Sequence, residues 1–377
     1  MRKIAFACLL TAAGFLLGAH AAYLESDYEP SAGKAEPPVD QTIRPRPEPV
    51  PDNPAAWLIR HVDVENAWNY GNLTIFPLTL RDRGRAPDIR TLDEAFSRNW
   101  IAVREKDNAQ VSAVEVRNDS EHHILLMAGE VITGGRQNRM IRSDILLQPR
   151  SGFVEIAVYC GEKERWSGRV EGFSSGGVVA HPELRKSVAA GAEQGAIWSQ
   201  IDAQSERAKV SSPTHDYHQV YQDKEVSRQL DDYAAQFRRM PRAATVGAVA
   251  VWGNRIIGCD IFSDPDLFSR EWGKLLRSYG FDVLYREKSA SSLTATDVRR
   301  FLDRAVSARY NERNTPGAGR LFEISGGAEG AALIWNAETV HVSLFGETVR
   351  YTPPPPPPPR PWPPHPWPPH PAPMWER

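Results

Sequence analysis

The prolines of this chain divide it more sharply than any other feature. Of its 31 prolines, many crowd into the first fifty or so residues and into the last twenty-five. Proline fixes its own φ and has no N–H to donate, so neither end can join a helix interior or a central strand. A packed fold is thereby confined to about residues 56–350. Tyr23 to Pro54 is rich in Pro, Glu, Asp and Ser and reads as a linker, placed at 22–55. The tail, 351–377, runs from a block at Pro353 to Pro359 into Pro-Trp-Pro-Pro-His, which occurs twice, at 361–365 and 366–370. That pattern favours polyproline II and displays Trp362, His365, Trp367 and His370. It suits a spacer, a ligand for an aromatic groove on a protein partner, or weak metal capture.

Before the linker, Arg2 and Lys3 precede an apolar run from Ile4 to Leu17, and Ala19-His20-Ala21 offers small residues for cleavage. Residues 1–21 therefore read as a secretory signal peptide, too short for a comfortable membrane span. The expected location is periplasmic or secreted, with no membrane span in the mature chain. A net charge of −2 argues against a nucleic-acid partner. Beyond the leader only Cys160 and Cys259 remain. An oxidising compartment permits a bridge, while the apolar strand patterns around both suit two buried thiols; a reactive thiol is the third possibility.

Between the ends the pattern is α+β. Residues 56–182 show short alternating runs, predicting an antiparallel β-sandwich or open barrel. Leu73–Leu80 contains Pro77 and predicts an edge strand. Thr91 with Glu94 predicts a capping box. Residues 161–182 read as a Gly/Ser-rich loop. Within it Gly172-Phe173-Ser174-Ser175-Gly176 matches a nucleophile elbow in spelling only, because no helix pattern follows. Residues 183–240 are predicted as a helical segment, with a helix start at Ser212-Pro213 and an apolar stripe through Tyr217, Tyr221, Leu230 and Phe237. A helix is also read over Gly191–Val210, interrupted at Gly195. His215 and His218 have helical spacing but no third ligand, so no metal site is expected. Residues 241–350 predict a smaller antiparallel α+β unit: a hairpin turning at Gly253-Asn254, a helix begun at Ser263 and stopped by Gly280, a second helix at about 296–308, and three closing strands.

The chemistry concentrates between Met127 and Ile141. Gly134-Gly135 is followed by Arg136, Gln137, Asn138 and Arg139, forked donors that suit a carboxylate or phosphate. Trp166 could stack on a flat ring. These five residues are the candidate ligand-binding set, and Glu130 is the candidate acid or base if the chain is an enzyme. No cofactor is indicated.

The stretches Leu126-Met127-Ala128-Gly129-Glu130 and Gly134-Gly135-Arg136-Gln137-Asn138-Arg139, with Cys160 followed by Arg165-Trp166-Ser167, resemble a bacterial family. It is the domain named for its association with ADP-ribosylglycohydrolases and rhodanese-phosphatases. The likeness continues through Gln194-Gly195-Ala196-Ile197-Trp198, His215-Asp216-Tyr217 and the later hairpin with its helix, roughly Trp68 to Val283. The resemblance implies a link to NAD-derived nucleotides such as ADP-ribose. The leading expectation is an exported ligand-binding module for a small anionic, nucleotide-like or sugar-acid ligand. The alternatives are a cell-envelope interaction protein using its proline-rich tail, and a hydrolase acting on an ADP-ribose-like substrate.

Overall fold

The computed structural model describes residues 53–81, 88–106, 112–163 and 170–346. The leader, nearly all of the linker, Trp166 and the proline tail lie outside the described residues.

Asn53 caps α1 (Pro54–His61) by accepting from the main-chain N–H groups of Ala55 and Ala56. Then come β1 (Asp63–Val64), β2 (Trp68–Tyr70), β3 (Leu73–Thr79) and β4 (Ile89–Thr91). The last runs into α2 (Leu92–Ser97), where Thr91 and Glu94 form the expected capping box. Seven strands follow: β5 (Ile101–Glu105), β6 (Ala113–Asn118), β7 (His123–Leu126), β8 (Glu130–Gly135), β9 (Arg139–Ile141), β10 (Ile145–Leu147) and β11 (Val154–Cys160). After β12 (Val170–Val179) the chain is helical through α3 (Pro182–Ala189), α4 (Gln194–Ala208), α5 (Tyr217–Gln222) and α6 (Lys224–Phe237). The hairpin β13 (Thr245–Trp252) and β14 (Arg255–Phe262) turns at Gly253-Asn254 as expected. It leads to α7 (Pro265–Val283) and α8 (Ala295–Val306), then to β15 (Arg309–Arg313), β16 (Arg320–Ser325), β17 (Glu329–Trp335) and β18 (Glu338–Phe345).

The fold is α+β, with sheets that are antiparallel throughout except where β4 runs parallel to β7. A nine-stranded sheet has the order β1-β3-β13-β14-β18-β17-β16-β15, with β2 also on β3. A six-stranded sheet runs β12-β8-β9-β11-β6-β5, and a three-stranded one β10-β7-β4. In the large sheet, side chains alternate between two cores. Phe76, Leu78, Val249 and Val251 face α1 and α8. Leu73, Ile75, Ala248 and Ala250 face α6 and α7. Helix α7 is enclosed along nearly its whole length, and its Glu271, Lys274, Ser278 and Asp282 are buried together with its apolar residues.

Several expectations need correction. The segments 56–182 and 241–350 do not fold as separate sheets, since β3 from the first pairs with β13 from the second. Pro77 is not on an edge. It falls between the short partners β1 and β2, where no N–H is needed, and its carbonyl accepts from Glu65. Residues 170–179, read as loop, form a ten-residue strand on β8 with two register shifts that accommodate its glycines. The helix expected from Ser212-Pro213 starts at Tyr217, because Asp216 supplies the cap and His215 sits at φ 52°. Gly195 lies in the first turn of α4 and interrupts nothing. The cap of α7 is Asp264, not Ser263, and Gly280 does not end the helix. A Cβ there would lie 3.3 Å from Leu230 and 3.4 Å from Tyr233, so this glycine lets α6 approach α7 closely.

Candidate functional site

Strands β8 and β9 pair through Val131–Met140 and Ile132–Arg139, so Arg136, Gln137 and Asn138 form the hairpin's tip. Cys160 on β11 pairs with Arg139, and this register turns the arginine inward. Only 3% of the Arg139 side chain is exposed. Its Nη1 donates to Gln137 Oε1 at 3.0 Å and contacts Cys160 Sγ at 2.9 Å, while Nη2 donates to Glu105 at 3.2 Å. Gln137 is fully buried. Asn138 Nδ2 donates to Asp216 at 3.0 Å, and its Oδ1 accepts from the Gly134 N–H at 3.0 Å. Arg136 alone of the four is exposed, with Nε 3.6 Å from Glu105. The forked donors thus converge, but on protein groups. Burying the guanidinium costs desolvation that these bonds offset only in part, since Arg139 Nε finds no hydrogen-bond partner among the described residues.

The stretches that carry the resemblance meet here. The Cys160 N–H donates to Gln194 Oε1 at 2.9 Å, and the Cys160 carbonyl accepts from Gln194 Nε2 at 3.1 Å and Trp198 Nε1 at 3.2 Å. Burial pushes the thiol pKa up, against the pull of Arg139. Both Cys160 and Cys259 are free and buried, which excludes the bridge between them and leaves two interior thiols. His215 pairs with Asp202 and His218 with the Gly176 carbonyl. Among the described residues no His, Cys, Asp and Glu cluster could hold a metal ion. Ser174 lies on β12 opposite Thr133, in a strand and not an elbow.

The turn Met127–Glu130 separates two buried ionic clusters. Gly129 sits at φ 89°, and a Cβ there would lie 2.7 Å from Arg185 Cγ, so only glycine lets that arginine pass. Arg185 makes a bidentate pair with Asp260 at 2.9 and 2.6 Å. His341 bridges Asp260 at 3.0 Å and Asp144 at 2.6 Å, and Asp144 accepts from the Ala128 N–H. Burial opposes the charged imidazolium, yet the two carboxylates outweigh it and hold the His341 pKa at about 9. This cluster balances two carboxylates with two cations.

The other cluster does not balance. Lys274 Nζ lies 2.9 Å from Asp93 and from Glu271 and is in direct contact with Glu130. Three carboxylates share one ammonium. Burial, opposed by Lys274, lifts the Glu130 pKa to about 8, and burial raises that of Glu271 too. Glu130 also accepts from the Met127 N–H at 2.7 Å. The candidate acid is 1% exposed, so it can hold a proton but meets no solvent directly. Sequence reasoning missed Lys274, Glu271, Arg185 and Asp260. The available signal was charge interleaved with Trp272, Leu275, Leu276 and Tyr279 in an otherwise apolar helix.

Open polar concavity lies elsewhere. A cavity of about 670 Å³ is ringed by Arg255, Arg300 and Arg304 over Ile256, Leu293 and Phe301. Arg300 and Arg304 stand one turn apart on α8, and Arg255 opens β14. Asp297 also lines the cavity and pairs with Arg300 at 2.9 Å. Arg255 and Arg304 enter no ion pair among the described residues. Three guanidinium groups against one carboxylate make this a cationic hollow with an apolar floor.

Among the described residues no helix is long and apolar enough to cross a membrane. Comparison with known proteins gave no match among curated proteins and none among solved structures. One family profile, that of the ARG and Rhodanese-Phosphatase-superfamily-associated Protein domain, matches residues 61–345.

Proposed function

The chain belongs to that family, and from this premise we propose that it is an exported binding module for a small anionic, nucleotide-like ligand. The ligand enters the cavity ringed by Arg255, Arg300 and Arg304. The observation that carries the reading is the surplus of forked cationic donors over carboxylates around an open hollow. Guanidinium groups suit phosphate and carboxylate oxygens, and the apolar floor suits a flat ring. The signal-like leader supports a site of action outside the cytoplasm. The buried donors of Gln137, Asn138 and Arg139 then act as internal bracing.

The test is thermal unfolding of the full chain with ADP-ribose, ADP or inorganic phosphate. A ligand at a hundred times its Kd stabilises by about 2.7 kcal/mol. The Arg255→Ala/Arg304→Ala variant is expected to lose that shift, and Arg136→Ala to keep it. A shift that survives the double variant but disappears in Arg136→Ala moves the site to the hairpin tip. No shift with any of the three anions removes the reading.

A further inference from the structure

We propose that the proline tail of this chain docks in a tyrosine-lined cavity on its own folded part. The cavity holds about 540 Å³ and is lined by Tyr70, Gln229, Asp232, Tyr233, Lys288 and Ser289 among others. It lies apart from the arginine hollow and shares no lining residue with it.

The chemistry of the occupant narrows the choice. A proline block has carbonyl acceptors but no N–H, and its rings pack best on flat aromatic faces. A surface that takes it must offer aromatic rings flanked by donors. Tyr70 and Tyr233 meet edge to face, with centroids 5.1 Å apart and planes at 83°. A Cβ at Gly71 would lie 2.7 Å from the Tyr233 hydroxyl, so the turn that seats Tyr70 against its partner depends on glycine at φ 56°. The Tyr70 hydroxyl, the Lys288 ammonium and the Ser289 hydroxyl donate to no protein group among the described residues. Asp232 is exposed and accepts from Arg228 at 3.1 Å through one oxygen. It adds a negative charge to the rim, and Arg360 follows directly on Pro353–Pro359.

Reach is sufficient. Gly346 lines the arginine hollow beside Asn254 and Ile256. At the neighbouring turn residue, Gly253, a Cβ would meet Ser289 of the tyrosine cavity at 2.5 Å. Two or three strand residues separate these points, roughly 10 Å. Pro353 is seven residues beyond Gly346 and reaches up to about 23 Å when extended. The proline block itself spans about 22 Å as polyproline II, enough to cross the cavity.

The test uses the full chain with Cys8→Ser, Ala290→Cys at the cavity and Pro357→Cys in the tail, joined by a short bismaleimide; the remaining cysteines, Cys160 and Cys259, are buried. The control pairs Pro357→Cys with Arg313→Cys, on the strand at the opposite edge of the large sheet. Docking raises the intrachain cross-linking rate at position 290 about tenfold over the control, through effective concentration. Tyr70→Ala and, at an exposed position, Asp232→Lys each lower that rate toward the control with unchanged circular dichroism. Equal rates at 290 and 313 overturn the proposal, as does a rate that neither variant changes. Cross-links between two chains overturn it in favour of a second copy as the occupant.

Discussion

Lys274 brings one positive charge into a space shared by Asp93, Glu130 and Glu271. Removing it leaves buried carboxylates without their cation, which costs about 3–5 kcal/mol. Lys274→Met is therefore expected to lower the denaturant midpoint far more than Glu130→Gln, which keeps an acceptor for the Met127 N–H and leaves Asp93 and Glu271 paired with the ammonium. The Glu130 shift also has a pH consequence. Its folded pKa rises from about 4.5 to about 8, so the folded chain holds a proton there that the unfolded chain has lost. The associated stability is fully present below pH 4.5 and disappears as pH rises through 8. His341, raised to about 9, adds a decline of the same sign above its ordinary value of 6.5. Stability is expected to fall from pH 6.5 to 8. Between pH 5 and 6.5 the Glu130 decline is opposed by His181, whose imidazole pKa burial holds down at about 3, so Glu130→Gln should turn the curve upward there. A variant curve that parallels the wild type assigns the slope to other groups. At this scale the sequence disclosed which residue types were unusual and not where they point. Glu130 and Arg139 stood out by their neighbours in the chain; their partners Lys274 and Cys160 are brought to them only by pairing and packing over long sequence separation.

Helix α8 shows how far local rules reach. Thr294 accepts from the Asp297 N–H, and Asp297 accepts from that of Thr294, a capping box at the start of the helix that carries Arg300 and Arg304. Thr294→Ala is expected to cost about 1 kcal/mol and to weaken anion binding only through this helix end. Hydrogen exchange should rise first in residues 295–298. Exchange rising equally along α7 would mean that the cap serves more than its own turn. Elements decided by neighbours in sequence were legible: the box at Thr91, the Gly253-Asn254 hairpin and the amphipathic face of α8. Those decided by distant contacts were not. Strand β12 forms because β8 offers it a ladder, and α7 continues past Gly280 because α6 packs against the bare backbone there.

At the scale of the molecule, α7 packs against strands of the large sheet, against β12 and against α6. The β-rich, helical and α+β segments read along the chain are therefore interlocked. Residues 53–346 are expected to unfold in one transition by both near- and far-ultraviolet circular dichroism, and limited proteolysis near residues 183 or 241 should not release a stable fragment. Two separated transitions would restore the segmental reading. The register of β3 on β13 has one more consequence. A strand made early waits for a partner about 170 residues further on, and the sheet is completed only by β18, at the close of the folded region. During synthesis the large sheet lacks its centre until β13 and β14 are made, although the strands of the two smaller sheets are all complete by residue 179. Of the three sheets, the largest is thus the last that can close.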